Sequence, residues 1–559
     1  MKQPSLPATS LLTTRAVALL VSLIASVPAA YSQAGLQTTW TWVKGPKEPY
    51  DGGNPGTMGV AAPGNVPMSR YSGSTFKDNS GNLWLFGGFN YLPAPMYFYF
   101  NDLWQFNPAT GNWTWMKGSS APNAAGSYGS IGVAAPANSP GARSDAASWV
   151  DSDGNFWLFG GTGLDASGQE GFLNDLWQFQ VSTGNWVWMG GSHFRDAAGN
   201  YGQQGVASGS NMPSARTNMM FWRDNAGQLW VYGGYNHLSQ RTNDLWRYSI
   251  ATNTWTWMNG STSGNAPIVY GAIGIPAATN TPGARAYGHA WTDAANNLYL
   301  FGGSHGSYSY NDLWKYTPQN NQWTWIHGDS LPLSPAVTGT QGVAHPQNRP
   351  GARVAGAGFT DLQRNFWLFG GWGIAPSSPI VGGLNDLWKY SPATNQWTWM
   401  KGAELNAYGI YGTQGSPSTG NNPGSRWSAM SWSAPANDLW IFGGLGYGET
   451  AGWGELNDLW RLNSNALTLS TSALSATPVP LTLYPNPARS QLRFELAAAA
   501  MGKLSCRIVD ASGRTVLSGA PVRETADRYS IDVAHLLPGT YTVLIQTNAG
   551  TRQASFVKQ

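Results

Sequence analysis

Cysteine is almost missing from this chain. One residue in 559, Cys506, carries a thiol, so no intramolecular disulfide can form and rigidity has to come from packing and closure. Charge is scarce too: Asp, Glu, Lys and Arg make up 11% of the residues, with a net charge of +3. No basic run or face suits a phosphate backbone, which excludes nucleic acid as an expected partner. The seven histidines are scattered rather than set at ligand spacing, so no metal site and no cofactor is expected. The glycines carry no phosphate-loop spacing with a following Lys-Ser/Thr. The one long apolar run, "AVALLVSLIASV" (16–27), is shorter than the roughly 20 residues a membrane span takes. Lys2 and Arg15 precede it and "PAAYSQA" follows, so residues 1–32 read as an export signal, cleaved after Ser32 or Ala34, and no membrane span is expected.

What the chain has in quantity is glycine (70), proline (35) and tryptophan (30), and these recur in register. A Gly-Gly pair after an apolar run begins at Gly87, Gly160, Gly233, Gly302, Gly370 and Gly443, and "NDLW" begins at Asn101, Asn174, Asn243, Asn311, Asn385 and Asn457. Trp-x-Trp begins at Trp40, Trp113, Trp186, Trp255, Trp323 and Trp397, and an arginine stands at Arg70, Arg143, Arg216, Arg285, Arg353 and Arg426. From arginine to Gly-Gly is 17 positions in all six units, and from the Trp of "NDLW" to the next Trp-x-Trp is 9 wherever both exist. The gap between Gly-Gly and "ND" varies most, from 7 to 13 residues. Alternating aromatic and β-branched residues between turn residues predict four strands per unit, and radially repeated four-stranded units describe a β-propeller.

The apolar run ending in Gly-Gly, the spaced aromatic and the later Trp resemble the kelch repeat, six times over between residues 40 and about 462. The sixth unit has no Trp-x-Trp of its own, while "TTWTWVKG" (38–45) has no unit before it. The expected fold is therefore all-β: a six-bladed kelch-type propeller over 33–463, closed by its N-terminal strand. Trp40 and Trp42 should lie beside the strand of Asp458 and Trp460.

Twenty-seven of the thirty tryptophans fall on five template positions, two of them in Trp-x-Trp, and read as core or inter-blade packing; Trp372, Trp427 and Trp453 lie outside the template. The six arginines and the six aspartates of "NDLW" read as structural, bonded to each other or to loop backbone. The long connection from Trp-x-Trp to the next arginine keeps a nearly constant length, so it reads as a packed loop anchored by Tyr128, Tyr201, Tyr270 and Tyr411. "DSDGN" (151–155) resembles part of a calcium loop but occurs once, at a hairpin, and reads as a turn.

Function is expected on the variable strand 2–3 loops, which are aromatic and weakly charged. The candidate ligand-binding residues are Tyr91, Tyr97, Tyr99, Tyr235, His237, His305, Tyr308, Tyr310, Trp372, Tyr447 and Trp453. Two readings stay open for them: a contact surface for a glycan or protein, or packing against the long connections. Some kelch-type propellers resemble galactose oxidase, which that resemblance ties to a copper site and a Tyr–Cys crosslink; the propeller has no cysteine, which excludes that chemistry. Asp165, Glu170, Glu449 and Glu455 are the acids in these loops, so the alternative to a binding or adhesion module is a carbohydrate-active enzyme on the same face. A monomer is expected.

After Leu462 the composition shifts. Residues 464–480 read as a linker, rich in Ser, Thr and Ala. Residues 481–559 alternate strands with Gly and Pro turns, and "YPNPA", "DASGRTV", "LLPGTYTVLI" and "FVKQ" occur in order. This resembles the C-terminal sorting domain of type IX secretion substrates. The resemblance implies a small C-terminal β-sandwich, Sec export, a type IX translocon as partner, and release or display at the outer cell surface.

Overall fold

The computed structural model describes residues 38–91, 97–376, 380–402, 405–433, 438–450, 452–463, 481–496, 504–510, 515–525, 527–547 and 550–559. The export signal at 1–32 and the linker at 464–480 lie outside the described residues. The chain divides into two compact units, Met1–Leu467 and Thr468–Gln559.

The second repeat shows how a unit folds. Its strands are Ala147–Val150, Phe156–Leu164, Glu170–Gln180 and Asn185–Gly190, paired antiparallel in sequence order. The first hairpin turns on Asp151, whose Oδ1 accepts from the backbone N–H of Asp153 (3.0 Å) and Asn155 (2.8 Å), while Oδ2 accepts from Trp157 Nε1 at 2.9 Å. "DSDGN" is thus a turn tied to the core, and Asp78, Asp224 and Asp361 hold Trp84, Trp230 and Trp367 the same way. Among the described residues no group of three or more His, Cys, Asp or Glu gathers as a metal site would require.

Six such sheets form the first unit. Their inner strands, Ser74–Lys77, Ala147–Val150, Met220–Arg223, His289–Thr292, Ala357–Thr360 and Met430–Ser433, each lie beside the next, and the sixth lies beside the first. The hydrophobic core sits between neighbouring sheets: Phe76 and Trp84 of the first pack with Phe156, Trp177 and Trp186 of the second. This is a closed β-propeller. Closure uses Thr39–Lys44, which pairs antiparallel with Trp453–Asn463 so that Trp40 faces Leu462 and Trp42 faces Trp460. The register shift between Trp42 and Lys44 repeats the one between Trp188 and Gly190 in the second sheet. The N-terminal strand therefore fills the position that Trp-x-Trp fills elsewhere.

At the axis the sheets are joined by backbone alone. Ser72, Asp145, Asn218, Tyr287, Ala355 and Ser428 each stand two residues after the repeat arginine. Each donates its N–H to the carbonyl of the preceding member, and Ser72 donates to Ser428, at 2.6–3.3 Å, closing a ring of six bonds. All six have φ between 53° and 62°, a left-handed conformation that costs non-glycine residues about 1 kcal/mol or more each. The kink splits the first strand, separating Arg143–Ser144 from Ala147–Val150.

The second unit is two four-stranded antiparallel sheets sharing one core that includes Leu492, Phe494, Ile508, Val543, Ile545 and Phe556. "YPNPA" docks on the last strand: Ala488 N–H donates to Val557 O at 2.8 Å, and Asn486 Oδ1 accepts from Val557 N–H at 2.9 Å. Cys506 is buried in this core, where burial pushes its thiol up to about 11. It therefore packs as a small apolar residue.

Candidate functional site

The most repeated polar constellation is architecture. In every blade the arginine makes an ion pair with the "NDLW" aspartate, at 2.6–2.8 Å. Its NH1 also donates to the first Gly-Gly carbonyl, 17 residues on. That contact explains the invariant spacing. The "NDLW" Trp donates to the same aspartate, and Tyr128, Tyr201, Tyr270 and Tyr411 donate to Asp175, Asp244, Asp312 and Asp458. Burial works to strip the proton from Arg143, and Asp175 more than reverses this, holding the guanidinium above its ordinary range. An asparagine five residues before each arginine docks the long connection. Asn138 Nδ2, for example, donates to Val133 O (2.8 Å) and Trp186 O (3.1 Å). Asn421 does the same to Trp40 O at 3.1 Å, across the closure.

Above the axial ring, on the side of the strand 2–3 loops, opens a cavity of about 670 Å³ to which all six blades contribute. The ring residues form its floor and also border a second, smaller cavity of about 310 Å³ among the inner strands. The upper walls are aromatic: Tyr71, Phe89 and Tyr99 from the first blade, Phe172 from the second, Tyr235 from the third and Tyr287 from the fourth. Trp372 and Trp427 complete them. Between these faces stand hydroxyls, among them Ser144, Thr162, Thr217 and Ser428. Thr217 Oγ1 is buried without a hydrogen-bond partner. Among the described residues Asp145 is the one carboxylate in the lining, and no Lys, Arg or His lines the cavity. Burial raises its carboxyl above the ordinary range, opposed by hydrogen bonds from Ser72, Ser144 and Asn218; Ser144 Oγ donates at 2.8 Å.

The three tryptophans outside the repeat template form one cluster, in which Trp372 and Trp427 line the cavity and Trp453 packs on Trp427. Trp372 and Trp427 ring centroids are 4.6 Å apart, edge to face, and Trp427 and Trp453 are 6.2 Å apart with planes 30° from parallel. Trp372 is 37% and Trp453 54% exposed. They come from the second and third strands and the arginine segment of two adjacent blades, so their convergence is invisible in sequence order.

Of the other candidates, Tyr99 and Tyr235 line the cavity, while Tyr91, Tyr97 and Tyr308 are exposed. Tyr97 stacks loosely on Tyr91 (5.3 Å) and Phe89 (6.0 Å). Tyr310 is buried, 5.8 Å from the Arg285 guanidinium, and His305 Nδ1 lies 2.7 Å from Ala284 O. Tyr447 packs against Tyr408, and His237 Nδ1 is buried without a hydrogen-bond partner. Packing on the long connections is present as well. Asn123 N–H donates to Tyr99 O at 2.8 Å and its Oδ1 accepts from Tyr99 N–H at 2.9 Å, with Asp196 and Phe172 paired likewise. The connection pins the backbone of Tyr99 while its ring borders the cavity. Tyr71, Phe89, Phe172 and Tyr287, and above all Asp145, carry no signal that sequence reasoning used; their clue is position, one or two residues after the arginine for Tyr71, Asp145 and Tyr287, beside Gly-Gly for Phe89, and two residues before "NDLW" for Phe172.

The loop acids do not converge. Asp165 caps its own turn, accepting from Ser167 and Gln169 N–H, and Glu170 accepts from Tyr99 Oη at 2.9 Å. Glu449 pairs with Lys47 at 2.9 Å. Glu455 is buried and accepts from Tyr91 N–H, and burial raises its carboxyl above the ordinary range.

Comparison with known proteins agrees with both units. Residues 205–345 match the family model of the KLHDC2/KLHL20/DRC7 Kelch-repeats domain, and residues 482–559 match that of the secretion system C-terminal sorting domain. Kelch domain-containing protein 10 of Bos taurus and that of Homo sapiens are each 26% identical over 301 residues, covering 46% of this chain and 60% of their own length. The leucine-zipper-like transcriptional regulator 1 homolog of Drosophila melanogaster is 29% identical over 174 residues, covering 31% of this chain and 14% of its own. The chain thus spans less than two thirds of these relatives. Kelch repeats and a type IX sorting domain together mark a secreted or surface-exposed interaction module.

Proposed function

We propose that this chain, kelch repeats followed by a type IX sorting domain, is an exported binding module whose ligand is a glycan held in the axial cavity on the strand 2–3 loop face. The observation that carries the reading is the cluster of Trp372, Trp427 and Trp453. Twenty-seven of the thirty tryptophans sit on the packing template, and the other three gather at the axial cavity: Trp372 and Trp427 line it and Trp453 packs on Trp427, with Trp372 and Trp453 exposed. Flat aromatic faces alternating with hydroxyls match a sugar, which offers apolar C–H faces and hydroxyls in the same ring. Glycoside hydrolysis uses two carboxylates facing one site, and the described residues of the lining present one, which favours binding over the enzyme reading.

The test is a glycan array probed with the full mature chain. Trp372→Ala and Trp453→Ala should each weaken binding to the glycans it selects by about 10- to 30-fold, the loss expected for an aromatic contact worth roughly 2 kcal/mol. Unchanged binding in both variants would remove the site from the face, and an array on which the chain binds nothing would end the glycan reading. Export is tested separately. The Sec-dependent route through the periplasm predicts that deleting 481–559 leaves the propeller in the periplasm, and cell fractionation that still finds it outside would overturn that route.

A further inference from the structure

The cavity floor poses a question that packing does not answer. Of the six ring residues, five are uncharged: Ser72, Asn218, Tyr287, Ala355 and Ser428. The ring is made by backbone N–H and C=O groups, and Ala355 shows that a methyl side chain suffices. Asn218 shows that the left-handed preference of Asn and Asp is met equally well without charge. Yet the second blade places a carboxylate there, at the bottom of an aromatic well. Asp145 is half-buried in surface exposure, and a carboxylate drawn that far out of water is costly without a partner of opposite charge.

No such partner is present among the described residues. Asp145 takes part in no ion pair, and its neighbours are neutral donors, Ser72, Ser144 and Asn218. Tyr71, Tyr99 and Tyr287 stand close enough that its charge helps to raise their hydroxyls, which burial already pushes up, so all three are neutral. In the cavity beneath, burial pushes His289 down to about 3, so it too is uncharged at neutral pH. Arg241, at the rim, lies over the ring of Tyr235 at 4.7 Å and bonds Ser304 Oγ. One more feature marks the spot: Tyr287, a bulky aromatic, holds φ at 62° beside the carboxylate. Such backbone strain tends to persist where it positions a functional side chain.

A carboxylate at the base of an aromatic box, with no cation of its own, is complementary to a ligand that brings one. We propose that Asp145 anchors the ammonium group of an aminated sugar, so that the glycan recognised in the axial cavity carries a free amine. The sugar rings would lie against Trp372 and Trp427, their hydroxyls toward Ser144, Thr217 and Ser428, and the ammonium at the floor, ringed by Tyr71, Tyr99 and Tyr287. This inference rests on the glycan reading of the same cavity and narrows it.

The experiment compares a glucosamine tetrasaccharide with its fully N-acetylated counterpart by calorimetry on the full mature chain, wild type and Asp145→Asn. A carboxyl raised by burial is a net cost when ionised: its contribution to stability is present when protonated and is lost as pH rises through the folded pKa. Asp145→Asn should therefore fold with an unfolding midpoint at pH 7 equal to or above that of the wild type. The wild type is expected to prefer the aminated sugar. The variant should lose about 30-fold or more of that affinity, as truncating one partner of a buried charged pair does, and keep its affinity for the acetylated sugar. Equal wild-type affinity for both sugars, or an equal loss on both in the variant, would overturn the assignment of Asp145 while leaving a glycan site in place. So would a lysine-bearing peptide that binds Asp145-dependently when neither sugar does. Absence of binding to any glycan on the array would instead end the parent reading.

Discussion

Removing residues 38–45 is expected to unfold the propeller rather than trim it. Trp40 is fully buried, 5.2 Å from Phe369 of the neighbouring blade and 6.4 Å from Trp460, and Trp42 packs on Tyr411 at 5.4 Å. Burying one tryptophan is worth about 4–6 kcal/mol as an upper figure, a large part of the roughly 5–15 kcal/mol that holds a domain folded. The deletion also strips the partners from Gly415 N–H and Ser418 N–H, which donate to Trp42 O and Trp40 O, and from Asn421 Nδ2. It exposes the edge of Trp453–Asn463 as well. Loss of the cooperative unfolding transition in circular dichroism is the expected readout. The repeat supplies its own rescue. In the second, third and fourth sheets a four-residue turn joins the last two strands, as between Gln180 and Asn185, and Thr39 faces Asn463 in the same register. Moving 39–45 behind Asn463 through a four-residue turn should restore the transition. A deletion variant that melts like the wild type would mean the ring does not depend on this strand.

This closure was legible in the sequence because it is written in spacing. Nine positions from one Trp to the next, present in five units and missing at the end of the sixth, demanded a strand from elsewhere. The arginine, the aspartate and Gly-Gly were legible as structure for the same reason, and the 17-residue interval proved to be the hydrogen bond from Arg NH1 to the glycine carbonyl. The docking asparagines, Asn65 to Asn421, stand at an equally strict interval before the arginine; their role went unread because a polar residue in a loop looks like any turn former. The axial ring could not be read at all. Its bonds use backbone atoms, so Ser, Asp, Asn, Tyr and Ala all satisfy it, and identity varies where geometry does not. The candidate site divides along the same line. Trp372 and Trp453 stood out by falling off the template, whereas Asp145 acquires meaning only when six distant segments meet at one axis.

Arg216→Met should be among the most damaging single substitutions in the propeller. Arg216 and Asp244 are both fully buried, paired at 2.7 Å, and Arg216 also reaches Gly233 O at 3.2 Å. Removing one charge strands the other, for which about 3–5 kcal/mol is typical, and Asp244→Asn should cost a similar amount by stranding the guanidinium. The double variant leaves two neutral groups. The amide oxygen introduced by Asp244→Asn can still accept from Trp246 Nε1 and Tyr201 Oη, which in the wild type bond the Asp244 carboxylate at 2.7 Å. The cost of the double variant should fall short of the sum of the singles by about 2 kcal/mol or more in urea unfolding; simple additivity would mean the pair is not coupled. The pH dependence follows from the same contacts. Burial pushes the Asp244 carboxyl up, but the charge and hydrogen bonds of Arg216, with those of Trp246 and Tyr201, outweigh it and hold the carboxyl below its ordinary range. A depressed folded value stabilises above the unfolded value of about 3.9 and is lost as pH falls through the folded one. In Arg216→Met the unpaired carboxyl shifts the other way, so that variant gains relative stability as its carboxyl protonates. The gap between wild type and Arg216→Met should be widest at neutral pH and narrow in acid, and a gap that widens in acid would show that the aspartate is not held charged by its arginine.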